Sequence, residues 1–273
     1  MAIILADIGN TKIKISINNN KDESFLLTRS FIKISYLYKF LNHMSKKYNI
    51  SDFVFCSVRG KQTLVILENI KKILPSTNII RISYYNKHFS FNYEPIESYG
   101  EDRLALLYYI ASKFKNKPVF AIDSGTAITI ETMNQLNYEG GLIFAGINTT
   151  LKALFSKTKQ LPLLKDKLYL DTKNIDKFNI EKFGFSTQDS IMFGLYNFYK
   201  GSLINSFNMF YNKIKNLNSR SINTEKPIIL ITGGDCKLIN HIIKNTLSEF
   251  EILIDENAVL KGLYYFYKSS KTE

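Results

Sequence analysis

Short apolar runs broken by tight turns alternate along this chain with segments whose apolar residues recur every three or four positions. Residues 3–15, IILADIGNTKIKI, read as two buried strands joined by an Asp-x-Gly-x-Thr turn, and residues 119–130, VFAIDSGTAITI, repeat that plan. Two copies predict two related halves, each offering an acid and a glycine turn. After the first hairpin, 18–22 (NNNKD) is a turn and 24–30 a third strand. Residues 36–48 space Leu37, Phe40, Leu41 and Met44 as a helix. A strand over 52–58, a helix over 63–74 stopped by Pro75, and a strand over 78–82 follow. This alternation predicts an α/β layer fold.

Residues 89–99 (FSFNYEPIESY) are irregular and aromatic, and a helix then runs from 100–103 through 113 with Leu104, Leu107, Tyr108 and Ala111 on one side. The polar stretch 113–118, KFKNKP, reads as a linker, dividing the chain into domains 1–115 and 116–273. The second half has the hairpin over 119–133, a strand from Gly140 and Gly141 to 147, a helix over 149–157 and a loop-rich 161–185. A long helix over 187–216, a polar loop over 216–226 and a buried strand over 227–232 come next. The turn Gly233-Gly234, a helix over 235–250, a short strand over 252–254 and a final helix over 257–268 complete it.

The 273 residues, 45% hydrophobic and 22% charged, describe an ordinary globular chain with ample core. No apolar run approaches the roughly 20 residues of a membrane span, and the start, MAIILADIGN, lacks the basic region of a signal peptide. Cys56 and Cys236 form no metal or disulfide framework, which fits a reducing cytoplasm, and the scattered His43, His88 and His241 argue against zinc. The formal charge of +12 raises the question of nucleic acid, but only five basic residues are arginine (Arg29, Arg59, Arg81, Arg103 and Arg220) and no DNA-reading module is recognisable. Neither nucleic acid nor a membrane is an expected partner; the positive field would still attract an anionic nucleotide.

Glycine turns let the backbone approach a phosphate closely, and turn amides and threonine hydroxyls donate to its oxygens. An aspartate among such donors makes sense when Mg²⁺ lies between carboxylate and phosphate. Asp7, Gly9, Asn10, Thr11 and Lys12 are therefore candidate phosphate and Mg²⁺ contacts, with Asp123, Gly125, Thr126 and Thr129 as counterparts and a third turn at 232–235, TGGD. A single such turn only closes a hairpin; two at matching strand ends favour a nucleotide. There is neither a GxxxxGK[ST] nor a GxGxxG sequence. Asp102 and Arg103, in GEDR at a helix start, pair a possible proton acceptor with an anion clamp, although acids there also simply stabilise the helix N-terminus.

Together, DIGNT from residue 7, GEDR at 100–103, DSGTA at 123–127, GGLIFAGI at 140–147 and TGGD at 232–235 resemble the type III pantothenate kinases of the actin-like ATPase and sugar-kinase superfamily. Order and spacing match along essentially the whole chain, and ALFSKTKQLP at 153–162 resembles a further family segment. The resemblance implies an α/β fold of two actin-like (ribonuclease H-like) domains with a nucleotide cleft between them, and ATP-dependent phosphorylation of pantothenate, the first step of coenzyme A synthesis. It implies that Asp102 accepts the proton of the pantothenate hydroxyl, and that Tyr93, Gly100, Glu101, Asp102, Arg103 and Thr187 contact pantothenate, Thr187 at a dimer interface. Asp7, Ile8, Gly9, Asn10, Thr11, Lys12, Ile13 and Lys14 would form the ATP phosphate loop, with Thr126 a further ATP contact. Asp123 would hold a monovalent cation, K⁺ or NH₄⁺, and Asp7 Mg²⁺; the family is homodimeric.

Four segments depart from the family pattern. Ala145-Gly146 stands for the usual Pro-Gly, Ser57-Val58-Arg59-Gly60 for Ser-Val-Val-Pro, Glu101 for a small residue, and Glu94-Pro95 for Asn-Pro. Two other readings stay open: a regulatory accessory protein of the same family, against which the intact acids at 7, 102 and 123 argue, and another superfamily sugar kinase or phosphatase.

Overall fold

A computed structural model describes residues 1–84, 89–164, 183–217 and 225–271 of the chain. Most of the expected loop 161–185 and of the polar loop 216–226 lies outside the described residues, as do His88 and Arg220.

The chain forms two compact units, Met1–Lys115 with Leu136–Tyr138 and Asn257–Glu273, and Asn116–Gln135 with Glu139–Glu256. Unit 1 runs through Ala2–Ile8 (β1), Ile13–Asn18 (β2), Leu27–Phe31 (β3), Ile34–Lys47 (α1), Ile50–Ser57 (β4), Gln62–Ile73 (α2), Asn78–Arg81 (β5) and Glu101–Lys113 (α3). Its sheet has the order β3-β2-β1-β4-β5. The β1–β2 and β2–β3 pairs are antiparallel, and β1–β4 and β4–β5 are parallel. The second sheet comprises Pro118–Ser124 (β6), Ala127–Asn134 (β7), Asn137–Ala145 (β8), Ile228–Gly233 (β9) and Ile252–Ile254 (β10). Its order is β8-β7-β6-β9-β10, with β6–β7 antiparallel and β6–β9 and β9–β10 parallel. The two sheets thus share one plan of hairpin, central strand and two parallel neighbours, so the repeat legible in the hairpins extends to whole sheets. The helices Ile147–Lys157 (α4), Thr187–Leu217 (α5) and Cys236–Ile243 (α6) belong to unit 2.

Central strands β1, β4, β6 and β9 are apolar on both faces, as strands buried beneath helices must be. The α1 residues Leu37, Leu41 and Met44, at i, i+4 and i+7, pack with Ile4, Ala6 and Ile8 of β1 in the first core. In the second core Leu195, Tyr199, Leu203 and Phe207 bring α5 against Phe120, Ile122 and Ile128.

Two expectations change. The helix expected over 235–250 ends at Ile243. Asn245, Thr246 and Ser248 are weak helix formers, and Thr246 N–H and Phe250 N–H donate three residues back, to Ile243 O at 3.1 Å and Leu247 O at 3.1 Å, in isolated turns. The expected second domain, 116–273, includes the last helix, Ala258–Ser270 (α7), which instead packs in unit 1. Sequence proximity is overridden there by packing. Phe266 meets the Tyr108 ring of α3 edge-on at 5.3 Å, the Tyr265 hydroxyl donates to Glu23 at 2.5 Å, and the buried Tyr267 hydroxyl donates to Asp52 Oδ2 at 2.9 Å.

Asp52 is buried, yet Ser51, Tyr267 and Asn78 hydrogen bonds and the Lys271 charge outweigh the upward push of burial and hold its carboxyl below the usual range. A depressed folded-state pKa gives stability that is present at neutral pH and lost as pH falls through the folded value. Tyr267→Phe removes one donor and is expected to cost about 1–2 kcal/mol near neutrality. The deficit should shrink as Asp52 protonates, which thermal melts of both proteins from pH 7 to pH 3 would measure.

Candidate active site

The first hairpin turn follows β1. Parallel pairing sets Asp7 opposite Cys56 of β4, and antiparallel pairing sets it opposite Lys14. The buried Cys56 thiol lies 3.8 Å from Asp7 Oδ1. Burial, and secondarily the charge of Asp102, push the Asp7 pKa up to about 7 against the opposing pull of Lys14, the Cys56 thiol and Lys12. Two expected acids, Asp7 and Asp102, are thus brought close enough to feel one another. They sit where β1 ends and α3 begins, at the carboxyl edge of the parallel strands where ligands of α/β sheets bind. Ile8 and Ile13 are core residues, and Asn10, Thr11 and Lys12 expose their side chains around Gly9.

Gly100 leads into α3, and Asp102 Oδ1 folds back to accept from Arg103 N–H at 2.8 Å. A Cβ on Gly100 would stand 2.6 Å from that oxygen, so glycine there lets the carboxylate take its position. Burial raises the Asp102 pKa, opposed by the Arg103 amide and the Arg103 charge. Arg103, 6% exposed, lies over the Tyr99 ring at 4.3 Å and the Tyr93 ring at 5.7 Å, with Nη2 3.4 Å from the Tyr138 hydroxyl. Stacking on aromatic faces fixes the guanidinium plane, an orientation suited to planar anions such as carboxylates.

Glu101 has a different setting. Its Oε2 accepts from Ser57 N–H at 2.8 Å and its Oε1 from Arg81 Nε at 2.6 Å, so both oxygens are engaged within the protein. Arg81 balances the charge that Glu101 adds next to Asp102.

In unit 2, pairing aligns Asp123 with Thr129 of β7 and Thr232 of β9. Thr126 is exposed, and its carbonyl accepts from Gly146 N–H at 3.0 Å and Thr149 Oγ1 at 2.6 Å, which ties the DSGTA turn to the start of α4. The TGGD turn joins it through Asp235 N–H, which donates to Ser124 O at 3.1 Å. Ser124 Oγ is buried and makes no hydrogen bond among the described residues. Thr187 is exposed on the first turn of α5, a helix start fixed by Ser186, whose hydroxyl donates to Asp189 Oδ2 at 2.7 Å and accepts from Asp189 N–H at 3.1 Å. Thr187, Thr126 and Asp123 belong to unit 2, and Tyr93, Gly100, Glu101, Asp102 and Arg103 to unit 1.

Sequence reasoning did not single out Cys56, Arg81, Tyr99 or Tyr138 as neighbours of the site. Arg59 was visible as a departure, but its contact was not. Its Nε donates to Gly9 O at 2.7 Å, across fifty positions of sequence.

Among the described residues no group of three or more His, Cys, Asp and Glu side chains is arranged to hold a metal, and no helix is long and apolar enough to cross a membrane. A divalent ion on a nucleotide needs only one or two carboxylates, the phosphates supplying the remaining oxygens.

The type III pantothenate kinase family model matches residues 3–207. A type III pantothenate kinase of Thermosipho africanus (strain TCF52B) is 28% identical over 270 residues, covering 98% of each chain. Among solved structures, one described as a conserved Baf family transcriptional activator from Campylobacter jejuni aligns at TM-score 0.55 and 17% identity over 100% of both chains. The activator of the 2-hydroxyisocaproyl-CoA dehydratase from Clostridium difficile aligns at TM-score 0.54 and 12% identity, over 100% of this chain and 97% of the other. At such identities these two speak for the fold alone.

Proposed function

Because the chain belongs to the type III pantothenate kinase family, we infer that it transfers the γ-phosphoryl group of ATP to pantothenate, giving 4′-phosphopantothenate in the first step of coenzyme A biosynthesis. The observation that carries the residue-level reading is the half-buried Asp102 carboxylate at the start of α3, beside Arg103 and within electrostatic reach of Asp7.

Asp102 is the proton acceptor. Its raised pKa makes it a stronger base than an exposed carboxylate while leaving it ionised above that pKa. As the pantothenate hydroxyl attacks the γ-phosphorus, its proton passes to Asp102, the bond to the bridging oxygen breaks, and ADP leaves with that electron pair. Arg103, held by Tyr93 and Tyr99, orients pantothenate through its carboxylate, and Gly100 gives the substrate close backbone approach. Glu101 contributes by fixing the helix start through Ser57 and Arg81. The turn of Asp7, Ile8, Gly9, Asn10, Thr11, Lys12, Ile13 and Lys14 receives the ATP phosphates, with Thr126 a second nucleotide contact.

A kinase of this family uses ATP with a divalent metal. The residues fit Mg²⁺: ionising Asp7 beside Asp102 is unfavourable without added positive charge, which a divalent ion supplies. When bound, Mg²⁺ offsets charge on the β- and γ-phosphates. Asp123 is the ligand of a monovalent cation, K⁺ or NH₄⁺, for which an oxygen donor set is chemically suited. A homodimer is supported by apolar side chains exposed on unit 2, with Leu142 and Ile143 on β8 and Met209 on α5, and Thr187 serves pantothenate at that interface. The enzyme works in the cytoplasm.

The test is an acceptor panel with ATP–Mg²⁺: pantothenate, hexoses, polyphosphate and water, each with and without K⁺. Phosphorylation confined to pantothenate and stimulated by K⁺ is expected. Transfer to a hexose, or hydrolysis of polyphosphate, would replace this reading with a sugar kinase or phosphatase.

A further inference from the structure

We propose that Arg59 is an additional ATP-phosphate-binding residue, presented to the nucleotide by its hydrogen bond to the Gly9 carbonyl in the first hairpin turn. This rests on the reading that this turn receives the phosphates.

The β4–α2 loop that carries Arg59 is anchored at several points. Ser57 N–H donates to Glu101 Oε2 at 2.8 Å, Val58 N–H to Ile8 O at 3.3 Å and Arg59 N–H to Ser57 Oγ at 3.3 Å. The Ser57 hydroxyl is itself fixed by Thr63 Oγ1 at 2.6 Å inside the protein, and the Arg59 carbonyl accepts from Gln62 N–H at 3.2 Å as α2 begins. From this base the half-buried Arg59 side chain reaches the first turn, where Nε donates to Gly9 O at 2.7 Å.

A guanidinium carries five N–H donors in a rigid fork. Spending Nε on a backbone carbonyl fixes the plane and leaves both Nη groups, the pair that engages phosphate bidentately. Among the described residues Arg59 makes no ion pair with a carboxylate. The nearby Glu101 is already engaged by Arg81 and Ser57. A positive charge half-withdrawn from water beside a phosphate turn, with no carboxylate paired to it among the described residues, is suited to an anion. It also answers a need of this site, since Asp7 and Asp102 put negative charge where a polyphosphate must approach.

The experiment titrates wild type, Arg59→Ala and Arg59→Lys with ATP–Mg²⁺ and separately with adenosine, and measures KM for ATP with pantothenate saturating. Arg59→Ala should weaken ATP by about ten- to a hundred-fold, the range for a lost charge-assisted contact, with adenosine affinity unchanged. Arg59→Lys should fall between the two, and free guanidinium ion should restore part of the ATP affinity of Arg59→Ala. Unchanged ATP affinity in Arg59→Ala, or equal loss for ATP and adenosine, would overturn the proposal, the second marking an arginine that only shapes the turn. Wild-type turnover is read alongside. Its absence would count against the kinase reading, while the binding comparison still decides the role of Arg59.

Discussion

Asp102→Asn is expected to lose about 10²- to 10⁴-fold in kcat, the range for removing a positioned general base, while binding ATP nearly as well as wild type. The amide is nearly isosteric with the carboxylate and its oxygen can still accept from the Arg103 amide, so the start of α3 keeps its geometry. What disappears is the proposed proton acceptor. Stability should not fall with it. Burial raises the Asp102 pKa above its unfolded value, so the ionised group costs folding free energy at neutral pH and the cost is relieved only as pH drops through the raised value. The neutral amide carries no such cost, and the variant should melt at or above the wild-type temperature. In the wild type the same shift places the acid limb of kcat above the ordinary carboxylate range. Steady-state kinetics, ATP titration and a thermal melt measure the three quantities together. A kcat near that of wild type would exclude Asp102 as the base.

Gly262→Ala is the second large effect, and it falls on stability. By helix propensity alone, alanine within α7 should gain about 1 kcal/mol over glycine. The crossing with α3 reverses the sign, because a Cβ at Gly262 would overlap the Ala105 carbonyl group, which is backbone and cannot rotate away. The helices must separate, loosening the packing of Phe266 on Tyr108 and the Tyr267–Asp52 bond. Overpacking of this kind costs about 3 kcal/mol, a drop of roughly 10 °C in melting temperature. Since α3 begins at Glu101 and carries Asp102, kcat should fall as well. A melting temperature equal to or above that of wild type would show that α7 does not hold α3 at this crossing.

Both hairpins, the alternation of strands and helices, and the position of each candidate acid were legible in the sequence because each is a local pattern. Asp7 and Asp123 lie near the ends of apolar runs that read as buried strands, and Asp102 lies two residues after a glycine at a helix start. The partners of those acids were not legible, because they depend on sheet register. Cys56 meets Asp7 through β1–β4 pairing, and Arg59 meets Gly9 through the loop that leaves β4. Glu101 shows the same limit. As a residue it is a departure from a family pattern, and only the fold reveals Arg81 and Ser57 as its partners. The return of α7 to unit 1 was hidden for a related reason. Gly262 in a helix is locally unfavourable, and its purpose is visible only in the crossing it permits.

The central claim, ATP-dependent phosphorylation of pantothenate, is tested most directly by following ADP and 4′-phosphopantothenate together in one reaction of purified protein, ATP–Mg²⁺ and pantothenate. One ADP formed per phosphopantothenate, with no ADP when pantothenate is withheld, is the predicted result. ADP release indifferent to pantothenate, or no phosphorylated product, would contradict it.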